Sequence, residues 1–452
     1  MNYEILEDMF YYHNKYRNVD MHSVGCELST WDLEHIVDLI GSGNEEIILL
    51  NTCAVTERAE EASKQVAFNL RALYPKKKMY IVGCGAEYDR DGYYDLLGTV
   101  YGNYDKFNPK LYPKTGCIGA LRHNINSEEV FIKVQDGCKN NCTYCAVKLF
   151  RNEPYSIPYE EIKYQINRAI GNNKYKLHII GTEITNYYSD GMYIDGLIRR
   201  ILEDYPQIEK ISFNALDPSS KRIEFLIDMM RNDNRFEKTL YLSVQSGSDR
   251  ILKHMKRRYD VKRVEELCDY AKGFNIDMDL IVGYPEETDE DLRLTRELVK
   301  KYNVREVYIC PFSKRKGTEA YDYEEKYTRE QKLDRAHSLF VDSGLAQEVL
   351  PAHIVYQTPR ADFVDLYTWD DFIKYVLKIE LLDIEDRAVE CNYYEDCTNE
   401  ENDAWEVRAK LLTLCYGVKL YVRHSTEDFD KGEFCEYYNC TLIEDEQWKK
   451  WD

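Results

Sequence analysis

The sequence lacks the features that mark membrane-spanning and secreted proteins. No run in the 452 residues approaches the roughly 20 apolar residues of a membrane helix. The start, MNYEILEDMFYYHNKYRN, has no charged segment followed by an apolar stretch, so a signal peptide is not indicated and we expect a cytoplasmic protein with no membrane contact. We interpret residues 1–18 as a short helical extension.

An excess of positive charge is also absent, since 60 Lys and Arg residues stand against 81 Asp and Glu residues, for a net charge of −21. A generic basic nucleic-acid-binding protein is therefore not indicated, and any nucleic-acid site has to be a local basic patch on an acidic body. The 14 cysteines occur without a secretory signal, which favours thiolate chemistry or metal binding over a disulfide scaffold. The length indicates two or three domains.

Residues 19–125 alternate strands with a helix. The apolar run 47–50 predicts a buried parallel strand, a helical pattern follows over 57–73, and 79–82 predicts the next strand. Strand, helix and strand form a βαβ unit, so we expect a small open α/β domain of the Rossmann-like kind. Residues 103–126 contain prolines and glycine and are interpreted as a linker.

Residues 126–343 repeat this alternation six times. Predicted strands cover 131–135, 177–181, 210–214, 240–245, 277–283 and 305–310. Helical patterns lie between them at 158–170, 194–203, 219–231, 261–272 and 289–302. Six consecutive βα units predict a parallel barrel or partial (β/α)6 barrel, whose chemistry lies at the carboxyl ends of the strands.

Residues 344–452 have a different, acidic and strand-like pattern. Predicted strands at 376–382 and 418–422 flank a helical stretch near 404–414, so we expect a small β-rich carboxy-terminal domain. The segments KIELLDIED and RAKLLTLCYGVKLYVR faintly resemble an OB barrel of the staphylococcal-nuclease type. Such a barrel suits RNA, but its acidity makes contact with a protein the alternative role.

Cys138, Cys142 and Cys145 form the pattern Cys-x-x-x-Cys-x-x-Cys directly after the first predicted barrel strand. Three thiolates on one loop can bind three irons of a cubane [4Fe–4S] cluster, which leaves the fourth iron open to chelate the amino and carboxylate groups of a small molecule. Zinc is an alternative, although structural zinc prefers a fourth ligand that no neighbouring His or Cys supplies. Three ordinary buried cysteines are the remaining interpretation, but the spacing and the position favour the cluster.

Three further cysteines, Cys26, Cys53 and Cys84, lie in the first domain. Cys53 and Cys84 come just after predicted strand ends, and such ends meet at one crevice of an open α/β sheet. Three thiolates there could hold a second cluster with three protein ligands. Isolated cysteines are also common in protein cores, so the spacing alone leaves both interpretations open.

Several segments resemble the radical S-adenosylmethionine (SAM) methylthiotransferases over about residues 22–325. GCELSTWDLE, NTCAVTERA and GCGAEYD are similar to three blocks of the amino-terminal domain of that family, and KVQDGCKNNCTYCAV resembles its radical SAM loop. ISFNALDPSS, LYLSVQSGSDRILKHMKRRY, MDLIVGYPEETDEDL and CPFSKRKGTEA follow in family order. KVQDGC, LSVQSGSD, MKRRY and SKRKGTEA look most like the enzymes that modify threonylcarbamoyladenosine in tRNA.

The resemblance implies SAM and two [4Fe–4S] clusters as cofactors, the second cluster bound by Cys26, Cys53 and Cys84. One cluster would cleave SAM to a 5′-deoxyadenosyl radical, which removes the hydrogen at C2 of adenine, and the other would deliver a methylated sulfur. The implied activity adds a methylthio group to C2 of threonylcarbamoyladenosine at tRNA position 37. Alternative substrates are isopentenyladenosine in tRNA and a ribosomal-protein aspartate, and the non-enzymatic alternative is an iron–sulfur protein that only binds RNA or protein.

The implied partners are the tRNA anticodon loop and a one-electron donor such as flavodoxin or ferredoxin, and we expect a monomer. The resemblance also implies SAM contacts at strand ends and on the cysteine loop. Arg257 would pair with the SAM carboxylate through two hydrogen bonds, and the other implied contacts are Tyr144, Gly181, Thr182, Glu183, Asn214, Gln245 and Ser246.

The loop after the cysteines departs from the family pattern. Lys148 replaces the usual proline after Val147, Asn152 replaces the glycine after Arg151, and the later Ser-Arg pair reads Ser-Ile. These changes affect the loop that faces the substrate and leave the three cysteines intact.

Overall fold

The computed structural model describes residues 2–5, 11–16, 19–40, 46–74, 77–94, 98–108, 129–151, 153–341, 420–422 and 440–442. Within them the chain has the predicted mixed α/β fold, with one five-stranded sheet and a set of parallel strands that form an open barrel. None of the helices in these residues combines the length and the apolar character needed to cross a bilayer.

The interpretation of residues 1–18 as a helical extension is wrong, because two strands form there, β1 (Asn2–Ile5) and β2 (Tyr11–Tyr16). β1 lies parallel to the last barrel strand, Glu306–Pro311, and β2 lies antiparallel to β3 (Val19–Val24). Tyrosine-rich segments favour extended backbone, and each strand pairs with the edge of a sheet whose existence the local sequence does not reveal.

The amino-terminal sheet continues from β3 through β4 (Ile47–Thr52), β5 (Lys78–Gly83) and β6 (Thr99–Tyr101), all parallel and in sequence order. Its helices are α1 (Glu27–Ile40), α2 (Glu57–Leu73), α3 (Cys84–Tyr88) and α4 (Arg90–Tyr94). Alternate residues of β4 enter two hydrophobic cores, one packed against α2 and one against α1. Burial on both faces explains why the run 47–50 is apolar without interruption.

The barrel and its flanking elements follow in the order β7 (Glu129–Asp136), α5 (Val147–Phe150), β8 (Tyr155–Ser156), α6 (Tyr159–Gly171), β9 (Lys176–Gly181), β10 (Tyr188–Ser189), β11 (Met192–Tyr193), α7 (Ile194–Asp204), β12 (Lys210–Phe213), α8 (Ile223–Asn232), β13 (Thr239–Gln245), α9 (Asp249–His254), α10 (Val261–Tyr270), β14 (Asn275–Val282), α11 (Asp289–Lys301), β15 (Glu306–Pro311) and α12 (Arg329–Val341). Each of the six predicted barrel strands overlaps an observed strand. The halves β7–β9–β12 and β13–β14–β15 meet through isolated bridges, Ile211–Phe236 and Leu216–Leu242. At their other edges β8 and β1 do not pair with each other in the described residues, so the barrel is partial.

The carboxy-terminal segment is described at two short parallel strands, β16 (Leu420–Val422) and β17 (Cys440–Leu442). β16 overlaps the strand predicted at 418–422. The strand predicted at 376–382 and the helix predicted near 404–414 lie outside the described residues.

Helix α1 of the first domain packs against the inner face of the barrel. Alternate residues of β7 pack outward against α6, and Phe131 lies on the opposite, inner face. Phe131 and Ile180 there contact Leu28 and Trp31 of α1. The two α/β units therefore share a hydrophobic contact.

A buried cluster of five charged side chains joins the same two units. Asp32 of α1 is fully buried and binds Lys106 Nζ at 2.5 Å and Lys133 Nζ at 2.7 Å. Asp136 at the end of β7 binds Lys133 at 2.6 Å and Arg151 at 2.9 Å. The linker interpretation of residues 103–126 is therefore wrong at its start, because Lys106 is only 2% exposed. Burial opposes ionisation of Asp32, but the three cations lower its pKa below the usual value.

The inner face of the barrel also carries a carboxylate with a raised pKa. Asp279 accepts hydrogen bonds from Tyr241 OH and, at 3.1 Å, from Ser243 Oγ. Burial nevertheless raises the pKa of Asp279 to about 6, since the charged form loses hydration that two neutral donors do not replace.

Replacing Asp32 by Ala should lower stability by about 3–5 kcal/mol, because it leaves Lys106 and Lys133 buried without their shared carboxylate. Chemical denaturation followed by circular dichroism measures the change. Glu297→Ala removes an exposed partner of Arg293 and should cost about 1 kcal/mol or less. Equal effects of the two substitutions would contradict the structural role of the cluster.

Asp279→Asn should stabilise the protein at pH 8 by about 1–3 kcal/mol and leave its stability nearly unchanged at pH 4. The native pKa of about 6 lies above the usual aspartate pKa of 3.8, so the wild type loses stability as the pH rises from about 4 through 6. Thermal melts of both proteins across this range test the sign. A stabilisation that is largest at pH 4 would contradict it.

Candidate active site

The cysteine loop follows β7 and ends at α5. Cys138, Cys142 and Cys145 are half-buried, and the Asn140 N–H points at Cys138 Sγ at 3.4 Å. Burial and the neighbouring thiols of Cys142 and Cys138 raise the pKa of Cys145 to about 12. The Cys145 thiol therefore stays protonated at neutral pH unless a positively charged group binds it, as a metal centre does.

Residues that follow other barrel strands form hydrogen bonds with this loop. Thr143 Oγ1 lies 2.8 Å from the hydroxyl of the fully buried Tyr284, which lies 3.1 Å from His254 Nδ1. The backbone of Thr143 bonds Met255 O and accepts from Ala320 N. Sequence reasoning did not identify Tyr284 and His254 as contacts of the loop. The sequence shows only that Tyr284 follows β14 and that His254 lies in α9.

Arg257 contacts the cysteine loop directly. Its guanidinium donates to Cys142 Sγ at 3.1 Å, to Asp217 Oδ2 and the Ser243 carbonyl at 3.2 Å, and to Tyr259 OH at 2.9 Å. The resemblance implies that this side chain also pairs with the SAM carboxylate, which stays a prediction. A guanidinium beside Cys142 stabilises the thiolate form, which is the form that binds metals.

The predicted residues at the end of β9 lie at the same carboxyl end of the barrel as the cysteine loop, which we call the mouth. A Cβ at Gly181 would lie 3.0 Å from the Gln135 carbonyl, so only glycine fits. Thr182 Oγ1 donates to Asp136 at 3.0 Å, which connects this strand end to the residue before the loop. Glu183 is buried, and burial together with the nearby Asp217 raises its pKa to about 7.

Two amide oxygens beside the loop have no hydrogen-bond partner among the described residues. Asn214 donates to the Gly181 carbonyl at 2.7 Å and Asn140 to Asp217 at 2.9 Å, but the Oδ1 atom of each is buried and unpaired. Buried acceptors normally have a donor. Their position at the mouth indicates a ligand that carries N–H or O–H groups.

The remaining predicted contacts lie at the end of β13 and in the loop. Gln245 has a φ of +69°, which is rare for a residue with a side chain, and Ser246 is buried next to it. Strained backbone of this kind concentrates at functional sites. The Tyr144 ring packs against a hydrophobic cluster that contains Ile251 and Tyr284, and its contact with SAM stays a prediction.

The other three cysteines lie at the carboxyl ends of β3, β4 and β5. A Cβ on Gly25, whose φ is +135°, would lie 3.2 Å from Cys53 Cβ, so glycine allows Cys26 to approach Cys53. Ser63 Oγ accepts from Cys53 N at 2.8 Å, and Asn103 Nδ2 donates to Cys84 Sγ at 3.3 Å. Burial, followed by the thiols of Cys84 and Cys26, raises the pKa of Cys53. Sequence reasoning missed β3, which places Cys26 after a strand like the other two.

The two segments that carry the cysteine sets share one hydrophobic contact. Ala54 and Cys84 share a hydrophobic cluster with Ala146 and Phe150. Ala54 directly follows Cys53 in the chain, and Ala146 directly follows Cys145. Asn103 Nδ2 joins both sides, since it donates to Cys84 Sγ at 3.3 Å and to the Phe150 carbonyl at 2.8 Å.

Neither set resembles a site for a single ion. Among the described residues, no three His, Cys, Asp or Glu side chains converge as one metal ion would require. In a cubane each thiolate binds a different iron, so the sulfurs surround the cluster without meeting at a point. Three thiolates on one loop are a donor set that fits such a cluster.

Two family models match the chain. Residues 132–299 match the Radical SAM superfamily, and residues 18–100 match the uncharacterized protein family UPF0004. The first match covers the cysteine loop and most of the barrel, and the second covers Cys26, Cys53 and Cys84.

Curated relatives span most of both units. Threonylcarbamoyladenosine tRNA methylthiotransferase MtaB of Rickettsia prowazekii is 29% identical over 66% of this chain and 76% of its own length. MtaB of Thermotoga maritima is 28% identical over 71% and 80%. A tRNA-2-methylthio-N(6)-dimethylallyladenosine synthase of Syntrophus aciditrophicus is 27% identical over 72% and 78%.

The order of the two matched families along the chain agrees with the order of the two cysteine sets. Each matched region supplies one of the two cysteine sets, and the segments that carry them are in contact in the structure. The chain belongs to the radical SAM methylthiotransferase family.

Proposed function

We propose that this enzyme adds a methylthio group to C2 of threonylcarbamoyladenosine at tRNA position 37. The rickettsial and Thermotoga relatives bear the name of that activity. The Syntrophus relative has nearly the same identity and is named as a synthase of 2-methylthio-N(6)-dimethylallyladenosine in tRNA, so the isopentenyl-type adenosine is the second candidate substrate.

The observation that carries the proposal is the shared contact between the two cysteine sets. The family uses SAM and two [4Fe–4S] clusters. We assign one cluster to Cys138, Cys142 and Cys145 and the other to Cys26, Cys53 and Cys84. When bound, the first cluster supplies the electron that cleaves SAM and the second supplies the sulfur.

The residues around the loop have tasks of their own in this proposal. Arg257 and the Asn140 N–H stabilise the thiolates of Cys142 and Cys138. Glu183 presents a buried carboxylate to the amino group of SAM, whose positive charge favours its ionised form. The open Oδ1 of Asn214 accepts a hydrogen bond from the adenosine part of SAM.

The charge at the barrel mouth favours RNA over an acidic protein substrate. Four lysines near the carboxyl end of the barrel have no carboxylate partner in the described part of the chain, namely Lys148 in α5 and the loop residues Lys139, Lys314 and Lys316. They form a local positive region on a chain of net charge −21, and phosphate backbones bind to such regions.

Mass spectrometry of nucleosides tests the activity. The reconstituted, reduced enzyme should convert tRNA that carries threonylcarbamoyladenosine into its 2-methylthio product in the presence of SAM. The isopentenyl precursor, unmodified tRNA and a ribosomal-protein peptide serve as parallel substrates. Product only from the isopentenyl precursor or only from the peptide would reassign the substrate, and no product from any of them would contradict the proposed function.

Cys26→Ala and Cys138→Ala should each lower the iron content after anaerobic reconstitution from about eight to about four atoms per chain, because each removes a ligand of one cubane. Cys268→Ala is the matched control, since Cys268 is buried in the barrel core, and it should keep about eight. Iron and acid-labile sulfide assays measure the result. Loss of all iron in either variant would contradict two independent clusters.

A further inference from the structure

Three exposed aromatic side chains lie close together on the segments that follow β9 and β12. Tyr188 is 57% exposed, Phe225 50% and Tyr193 45%. The rings of Tyr188 and Tyr193 lie 4.8 Å apart on the hairpin β10–β11. The Arg222 guanidinium lies 3.7 Å from the Tyr193 ring and 5.6 Å from the Phe225 ring, so these four residues form one continuous aromatic strip.

A side groove of about 800 Å³ continues the aromatic strip at Phe225. Its lining contains four cationic side chains, Lys221, Arg257, Arg258 and Arg263, against two carboxylates, Glu224 and Asp260. This local excess of positive charge contrasts with the net charge of −21 of the chain.

Two of the four cations are not neutralised. Arg263 binds Glu224 at 2.6 Å, and Arg257 binds Asp217 at 3.2 Å. Arg258 donates to the neutral Ser219 hydroxyl at 3.2 Å, and neither it nor Lys221 lies within ion-pair distance of a carboxylate in the described residues. The groove therefore offers two free positive charges next to an exposed ring.

The inner end of the side groove reaches the cysteine loop. Arg257 lines the groove and also donates to Cys142 Sγ at 3.1 Å. The aromatic strip and the groove both lie on segments that follow β9, β12 and β13, at the carboxyl ends of these strands. A chain bound along them would lead toward the catalytic mouth.

We infer that the aromatic strip and the side groove bind a single-stranded segment of the RNA substrate. Unstacked bases stack on Tyr193 and Phe225, and phosphates bind Lys221 and Arg258. Every base has a flat face, so aromatic residues interleaved with cations are suited to single-stranded nucleic acid. This inference rests on the proposed function, because it assumes that the substrate is RNA.

The test measures binding of a fluorescein-labelled stem-loop RNA of anticodon-arm sequence to the reconstituted full chain by fluorescence anisotropy at several salt concentrations. Phe225→Ala should weaken binding about tenfold, since one stacking contact is lost. Lys221→Glu combined with Arg258→Glu should reduce the slope of log Kd against log salt by about 1.4, because two phosphate contacts with a single strand are lost.

Matched controls lie at the opposite end of α10. Tyr270→Ala removes a ring that is 42% exposed, and Lys272→Glu reverses an exposed charge. Both should bind the RNA within twofold of the wild type. Equal weakening by the controls, or unchanged RNA binding by the groove variants, would overturn the inference.

A slower reduction of the groove variants by a flavodoxin, with unchanged RNA affinity, would also overturn it and assign the groove to an acidic protein. The two proposals fail in different ways. If the wild type forms the methylthio nucleoside while the groove variants bind RNA normally, only this inference fails. If no precursor gives product although the wild type binds RNA through the groove, only the proposed function fails.

Discussion

The buried ion cluster around Asp32 determines how the two α/β units are positioned. Asp32 belongs to the first domain, whereas Lys133 and Asp136 belong to the first barrel strand, and Arg151 follows the cysteine loop. Buried charges are stable only with close partners, so the cluster restricts the two units to one arrangement. That arrangement places Cys84 and Phe150 on either side of Asn103.

The electrostatics of the two cysteine sets follow from this burial. Burial raises the pKa values of Cys53, Cys84 and Cys145, so under the proposed assignment these thiols would lose their protons only on binding a positively charged iron centre. Arg257 lies beside one set, and the positive charge of Arg151 acts on Cys84 in the other. Both cations offset the negative charge that three thiolates bring to a cluster.

The sequence predicted the elements whose signals are local. Hydrophobic periodicity located the six barrel strands, and spacing located the loop with Cys138, Cys142 and Cys145. It did not locate β1, because a strand of four residues is recognisable only from the partner it pairs with. Lys106 was assigned to a linker, since a buried lysine can be inferred only from the carboxylate that neutralises it in the folded chain. The contact of Tyr284 with Thr143 joins positions 141 residues apart, which no local pattern encodes.

An acidic protein that acts on RNA needs its positive charge where the substrate lies, and the lysines at the mouth and the side groove meet this requirement locally.

The central claim is that two clusters are bound on facing sides of one contact. Anomalous iron density from a crystal of the anaerobically reconstituted protein tests it most directly. The account predicts two separate iron peaks, one bound by Cys138, Cys142 and Cys145 and one by Cys26, Cys53 and Cys84, on either side of Asn103. A single peak, or iron absent from the second set of cysteines, would contradict it.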